Sequence, residues 1–248
     1  MLELELLDWL IIGLCALLIG FSKSGLPNMI ILVVTLIMFV LPARESVGFL
    51  LPMLLIGDLF AVTYYRRNVV WKYLISLIPW VLIGIISGFF VLQNIGDGWL
   101  KPMIGVIVLV MIALNLIRQK LGARFNEILP NSFLFIVFIG VLGGFTTMVG
   151  NAAGAIMTIY LLVKGLPKKE LIGTGAWFFL TVNLIKFPFY VHLEIITLNT
   201  LSVNMMLIPI ILIGAFTGAR VLKYIPQRVF TILILVLATL GGLNLIFN

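Results

Sequence analysis

Apolar residues run from Leu6 to Leu41 with one interruption, the polar, small-residue stretch Ser22-Lys23-Ser24-Gly25-Leu26-Pro27-Asn28. A second break, Thr146-Thr147-Met148-Val149-Gly150-Asn151-Ala152-Ala153-Gly154, interrupts the apolar run 132–163 about 125 residues later. Three unbroken apolar segments follow the first break, at 47–65, 71–92 and 100–117, and three follow the second, at 171–190, 201–222 and 229–247. Each suffices for about one crossing of a bilayer, which needs roughly 17–25 residues. The arms on either side of each break are mostly shorter than that, so a re-entrant hairpin fits better than two full spans, although both leave the chain on the same side. Irregular backbone at membrane depth is tolerated only where protein or a water-filled cavity surrounds it. The two breaks are therefore the first candidates for a site.

Composition narrows the class. Hydrophobic residues make up 62% of the chain and charged residues 10%, and the mean hydropathy is +1.26. A soluble domain carries about 25% charged residues. Apolar runs of about twenty residues exclude the short alternating strands of an outer-membrane barrel. The expected fold is an all-α polytopic membrane protein. Glu3, Glu5 and Asp8 stand where a cleavable signal would carry basic residues. A single cysteine, Cys15, forms no intramolecular disulfide and no cysteine metal cluster, and is read as packing. The net charge of +7 reports loop topology rather than a nucleic-acid partner.

The two halves repeat each other. Leu41-Pro42-Ala43-Arg44-Glu45-Ser46-Val47-Gly48 matches Leu166-Pro167-Lys168-Lys169-Glu170-Leu171-Ile172-Gly173, and Ile83-Gly84-Ile85-Ile86-Ser87-Gly88 matches Ile213-Gly214-Ala215-Phe216-Thr217-Gly218. Asn115-Leu116-Ile117 matches Asn244-Leu245-Ile246, and Pro79 falls in register with Pro209. The first repeat is read as 1–117 (hairpin 6–41), the linker as 118–131 and the second repeat as 132–248 (hairpin 132–163). If both breaks are hairpins, Arg66, Arg67, Lys72, Arg118, Lys120, Arg124, Lys164, Lys168, Lys169, Arg220, Lys223 and Arg228 share one face, twelve against the three of Arg44, Lys101 and Lys186. The positive-inside rule then makes the repeats inverted, with both termini outside.

A half-helix beginning at Asn28 or Ala152 aims free N–H groups and the positive end of its dipole at whatever fills the gap. Gly25, Gly150 and Gly154 allow close approach, while Ser22, Ser24, Thr146, Thr147 and Asn151 offer donors and Lys23 adds a charge. That is an anion site; the bland reading is close helix packing, with Lys23 reaching an interface. Asp58 lies within a span, and its repeat mate is Asn183. An intramembrane carboxylate is a proton relay or a counter-ion for Lys23, or a structural partner of a hydroxyl or lysine. Lys186, some 22 Å along a segment begun near Leu171 at about 1.5 Å per residue, falls near the outer interface, as a snorkelling side chain or part of a basic vestibule. His192 is read as a loop residue, and Asn115, Asn204 and Asn244 as interhelical hydrogen-bond partners. Phosphate loops, His-Glu-x-x-His and Gly-x-Ser-x-Gly are absent from the sequence, so neither an enzyme nor a cofactor is expected.

The motifs Gly20-Phe21-Ser22-Lys23-Ser24-Gly25, Gly143-Gly144-Phe145-Thr146-Thr147-Met148-Val149-Gly150 and Asn183-Leu184-Ile185-Lys186-Phe187-Pro188, in this order and spacing, resemble those of the TauE/SafE family of sulfite and organosulfonate exporters. The resemblance covers about 6–247. It implies export of a small sulfur-containing anion, such as sulfite or sulfoacetate, across a bacterial inner or plasma membrane. The residue reading predicts a secondary transporter working by alternating access. Its partners are a small anion and the lipid bilayer, with no nucleic acid; the sequence leaves the oligomeric state open. Ser22, Lys23, Ser24, Gly25, Asn28, Thr146, Thr147, Gly150, Asn151 and Lys186 are the expected substrate residues, and Asp58 with Asn183 the coupling pair. An anion channel lined by the two hairpins is the alternative.

Overall fold

The computed structural model describes residues 5–23, 29–122, 124, 132–221 and 227–247. Ser24, Gly25 and Asn28 of the expected site, and most of the linker, lie outside them. The described residues form ten α-helices: α1 Leu6–Lys23, α2 Met29–Ile37, α3 Ala43–Tyr65, α4 Trp71–Asn94, α5 Asp97–Leu121, α6 Phe133–Gly150, α7 Gly154–Val163, α8 Lys168–His192, α9 Leu198–Val221 and α10 Gln227–Phe247. In lipid a helix satisfies its backbone polar groups internally, which is why unbroken apolar runs become helices here. Seven of them, α1, α3, α4, α5, α6, α8 and α9, are long and apolar enough to cross a membrane. The protein is an all-helical polytopic membrane protein.

The arms of the two broken segments are unequal. α1 and α6 have 18 residues each, about 27 Å at 1.5 Å per residue. α2 has 9 residues and α7 has 10, too short to cross. The short arms lie inside the protein: every residue of α2 except Leu36 is buried, as are Ala155, Ile156, Met157, Ile159, Tyr160 and Leu161 of α7. The apolar side chains left outward belong mainly to long helices, such as Leu10 and Leu14 on α1, Ile83 and Phe90 on α4 and Met205 and Met206 on α9. That is the distribution expected where lipid covers the outside. The turn 151–153, between α6 and α7, is buried as well.

α7 runs back toward the end of the molecule from which α6 sets out. Phe133, which begins α6, meets Trp80 of α4 edge to face, with ring centroids 5.5 Å apart. At the far end of α7, the Tyr160 hydroxyl donates to the Tyr73 carbonyl at 3.0 Å, at the start of α4. The turn between the arms points the other way: the Asn151 amide donates to the Val47 carbonyl at 3.0 Å, one turn into α3. Asn151 itself is left-handed, with φ 54°, and ends α6 through its N–H to Thr147 and Thr146. The sequence reading began a half-helix at Ala152; α7 begins instead at Gly154, because the chain spends residues 151–153 in that turn.

Each long arm crosses a span of the other half at glycine. A Cβ on Gly84 of α4 would strike the Val141 carbonyl and Gly144 of α6, and a Cβ on Gly144 would strike the Val81 carbonyl. On α1 and α9 the same contacts recur, Gly20 against the Ile211 carbonyl and Gly214 against the Leu17 carbonyl. A third matched pair has Gly48 of α3 against the Ile195 carbonyl and Gly173 of α8 against the Asn68 carbonyl. In the centre, α3 and α8 run antiparallel, joined by Ala61, Val62, Ala176 and Leu180.

Candidate functional site

Two polar clusters face each other, one where the end of α1 meets α3 and α8 and one where the turn after α6 meets α8. The first forms around Lys23, the last residue of α1. Its stem lies on Gly57, where a Cβ would come within 2.9 Å of Lys23 Cγ. Its Nζ pairs with Asp58 Oδ1 at 2.5 Å and sits 5.1 Å above the Phe179 ring. The other carboxylate oxygen accepts from Asn183 Nδ2 at 2.7 Å. Asp58 is 0% exposed, so its charge is held by a lysine and an amide rather than by water. Breaking such a pair from one side leaves a buried uncompensated charge, at about 3–5 kcal/mol. Of the alternatives open for Asp58, the counter-ion of Lys23 is what the geometry displays.

The second cluster forms around Lys186 of α8, which is also 0% exposed. Its Nζ donates to Asn151 Oδ1 at 2.6 Å, the Thr147 carbonyl at 2.9 Å and Thr147 Oγ1 at 3.2 Å. Three oxygens satisfy the three donors of an ammonium. The Tyr190 ring lies 5.5 Å from that nitrogen, and the Tyr190 hydroxyl donates to the Met148 carbonyl at 2.6 Å. The interfacial placement expected for Lys186 is therefore corrected: it caps the turn after α6 from inside the protein. Depth counted along one helix missed it because α6 brings Thr147 and Asn151 to that same depth.

A cavity of ≈ 90 Å³ lies between the clusters, enough for several waters or one small oxyanion. Its polar wall is Ser22, Lys23, Asp58, Thr147, Asn151, Thr158 and Asn183. Its apolar wall includes Met157, Leu161, Ile172 and Phe179. Ser22 Oγ is buried without a hydrogen-bond partner among the described residues, in a residue 3% exposed. Buried hydroxyls are nearly always satisfied, so an orphan on a cavity wall points to something that occupies the cavity.

Of the expected site residues, the structure brings Ser22, Lys23, Asp58, Thr147, Asn151 and Asn183 to the cavity, with Lys186 directly behind Thr147 and Asn151. Two stand apart from it. Thr146 Oγ1 donates to the Leu142 carbonyl of its own helix, and Gly150 packs against Ile104. Gly57, Phe179 and Tyr190 were not foreseen. A signal existed for each: Gly57 precedes Asp58, and Phe179 and Tyr190 lie four residues from Asn183 and Lys186, on the same helix face. His192 ends α8 with its ring 6.0 Å from that of Phe89. Asn204 does bridge helices, to the Phe49 carbonyl, whereas Asn115 donates within its own helix, to Met111.

Short buried helices inside a bundle, with a lysine at the end of one long arm, another against the turn after the second, and a small polar cavity between them, define a class of protein that moves a small solute across a membrane. Over residues 10–245 the chain matches the family described as Sulfite exporter TauE/SafE. It belongs to that family of membrane transporters. Neither the curated proteins nor the solved structures contain a match to it.

Proposed function

We propose that the protein carries a small sulfur-containing oxyanion, such as sulfite or sulfoacetate, across a bacterial inner membrane by alternating access, with the cavity beside Lys23 as its binding site. The observation that carries this reading is the orphaned Ser22 hydroxyl next to Lys23 on the wall of a cavity of anion size. Ser22 and Lys23 supply a hydroxyl and an ammonium to the anion's oxygens. Thr147 and Asn151, held by Lys186, furnish the opposite wall.

The halves are read as inverted repeats, supported by the glycine crossings that recur between α1 and α9 and between α4 and α6. On that reading the end of the molecule carrying the α3–α4 and α7–α8 connections is cytoplasmic, and both termini are outside. The cavity reaches toward that end through Ala61, Leu161 and Leu171. The opposite end is tied by Asn151 to Val47 and Tyr190 to Met148, which supports an inward-facing carrier over an open channel. Asp58, paired with the lysine that meets the anion, is the residue that couples transport to protons.

The test is flux in proteoliposomes against sulfite, sulfoacetate, sulfate and thiosulfate. Saturable flux and counterflow of at least one sulfur oxyanion are expected. Single-channel currents without counterflow would overturn the carrier reading, and no flux of any of them would overturn the substrate class.

A further inference from the structure

At the end of the molecule that carries the α3–α4 and α7–α8 connections, two lysines from different helices come together beside α4. Lys164, just past the end of α7, holds its Nζ 5.5 Å from the Tyr160 ring and 5.8 Å from the Tyr73 ring. Tyr160 is 0% exposed, and its hydroxyl is fixed between Ser76 Oγ at 3.1 Å and the Tyr73 carbonyl. That network seats Lys164 on the first turns of α4, where Lys72 stands exposed. Burial first, and then the Lys72 charge beside it, push the Lys164 ammonium below its ordinary value. Neither lysine is among the described residues that line the cavity. From Lys72 onward, α4 turns Ile75, Ser76, Pro79, Ile83 and Ile86 outward, while Leu74, Leu77, Val81 and Gly84 face inward. Trp71, 47% exposed and with its ring 5.1 Å from that of Trp177, marks the head of this outward stripe as membrane interface.

We infer that Lys72 and Lys164 bind the phosphate of an anionic phospholipid, with an acyl chain of that lipid lying along the outward stripe of α4. The inference is independent of what the cavity carries. Two like charges held close repel until an anion sits between them, and a phosphodiester presents oxygens to both. Topology alone asks only for basic residues at this end, which the exposed Arg66, Arg67 and Lys169 supply on or beside the connections. It does not ask for two ammoniums gathered by tyrosine rings at the head of an apolar stripe. A soluble anion would use the lysines and leave the stripe idle, whereas a phospholipid uses both. The headgroup is net negative rather than zwitterionic, because a choline would bring a third cation to two lysines. Among the described residues at this end Glu170 is the one carboxylate, so little there would welcome that cation. The same lipid ties the short arm α7 to α4.

Native mass spectrometry of the full-length protein in detergent, with phosphatidylglycerol or phosphatidylcholine of the same acyl chains added, tests this. Wild type is expected to bind phosphatidylglycerol at least about fivefold more tightly than phosphatidylcholine. Lys72→Ala is expected to weaken phosphatidylglycerol binding about fivefold, the effect of one lysine near an anionic lipid, and Lys164→Ala to do the same. Lys120→Ala, at the same end of the molecule but on α5, is expected to leave it unchanged. Lys72 is exposed, so Lys72→Ala tests the site even where Lys164→Ala fails to fold. Equal binding of the two lipids by wild type overturns the inference. A loss in Lys120→Ala as large as that in Lys72→Ala also overturns it, since diffuse charge and not a site then holds the lipid. Inorganic phosphate at millimolar concentration that displaces phosphatidylglycerol assigns the lysines to a soluble anion and overturns the lipid.

Discussion

Lys23 and Asp58, 35 residues apart in sequence, close a buried ion pair at 2.5 Å at the end of α1. The pair explains how two charges persist inside an apolar bundle, and it changes what substitution should do. Lys23→Ala removes the ion-pair partner of a carboxylate that then keeps, among the described residues, the Asn183 amide. It should therefore abolish anion flux and also destabilise the protein, by about 3 kcal/mol. Lys23→Ala with Asp58→Asn should regain most of that stability, having no orphaned charge, yet remain without flux. Thermal unfolding in detergent and proteoliposome flux on the two variants check both parts. A double variant that transports normally removes Lys23 from the site.

Asp58 alone gives a second prediction. An asparagine can still accept from Asn183, but it neither takes nor releases a proton. Flux through Asp58→Asn should lose its response to an imposed pH gradient while responding to the anion gradient as before. A pH-gradient response equal to that of wild type would remove Asp58 from coupling.

The glycine crossings make a prediction about folding that is independent of transport. A methyl group on Gly84 or Gly214 meets a carbonyl of the neighbouring helix, so the helices must separate. Overpacking of this kind costs about 1–3 kcal/mol. Gly84→Ala and Gly214→Ala should each lower the melting temperature of the purified protein, by similar amounts. Gly13, with open space where its Cβ would be, is the control, and Gly13→Ala should leave it unchanged. Melting curves that do not separate Gly84→Ala from Gly13→Ala would contradict the tight crossing.

Much of this architecture was legible as pattern. The lengths of the apolar runs located the helices to within a few residues, α3 starting at Ala43 rather than at residue 47 and α8 at Lys168 rather than at residue 171. The polar breaks picked out Ser22, Lys23, Thr147 and Asn151, because few other reasons exist to interrupt an apolar run. What pattern does not contain is which helix lies opposite. Asp58 read equally well as a relay or a counter-ion until α1 laid Lys23 across Gly57. Lys186 read as a boundary residue because depth was counted along α8 alone, with no account of a turn that reaches in to meet it. Thr146 and Thr147 are adjacent and chemically alike, yet one bonds back to its own helix and the other bonds Lys186. Helical rotation decides that, and one residue shifts it by about 100°.

The direction in which the cavity opens can be read by cysteine labelling. The only native cysteine, Cys15, is 0% exposed and should stay silent toward a membrane-impermeant thiol reagent. Ala61→Cys places a thiol on the cavity wall, near the end that carries the α3–α4 connection. Arg67→Cys marks that connection and Asn199→Cys the opposite end, at the start of α9; both positions are exposed. In right-side-out and inside-out vesicles Ala61→Cys should label from the same side as Arg67→Cys and not from the side of Asn199→Cys. A transported anion, by filling the cavity, should slow labelling of Ala61→Cys without affecting Arg67→Cys. Labelling of Ala61→Cys from both sides at similar rates, with no anion present, would instead describe a continuous pore, and the carrier would give way to the channel.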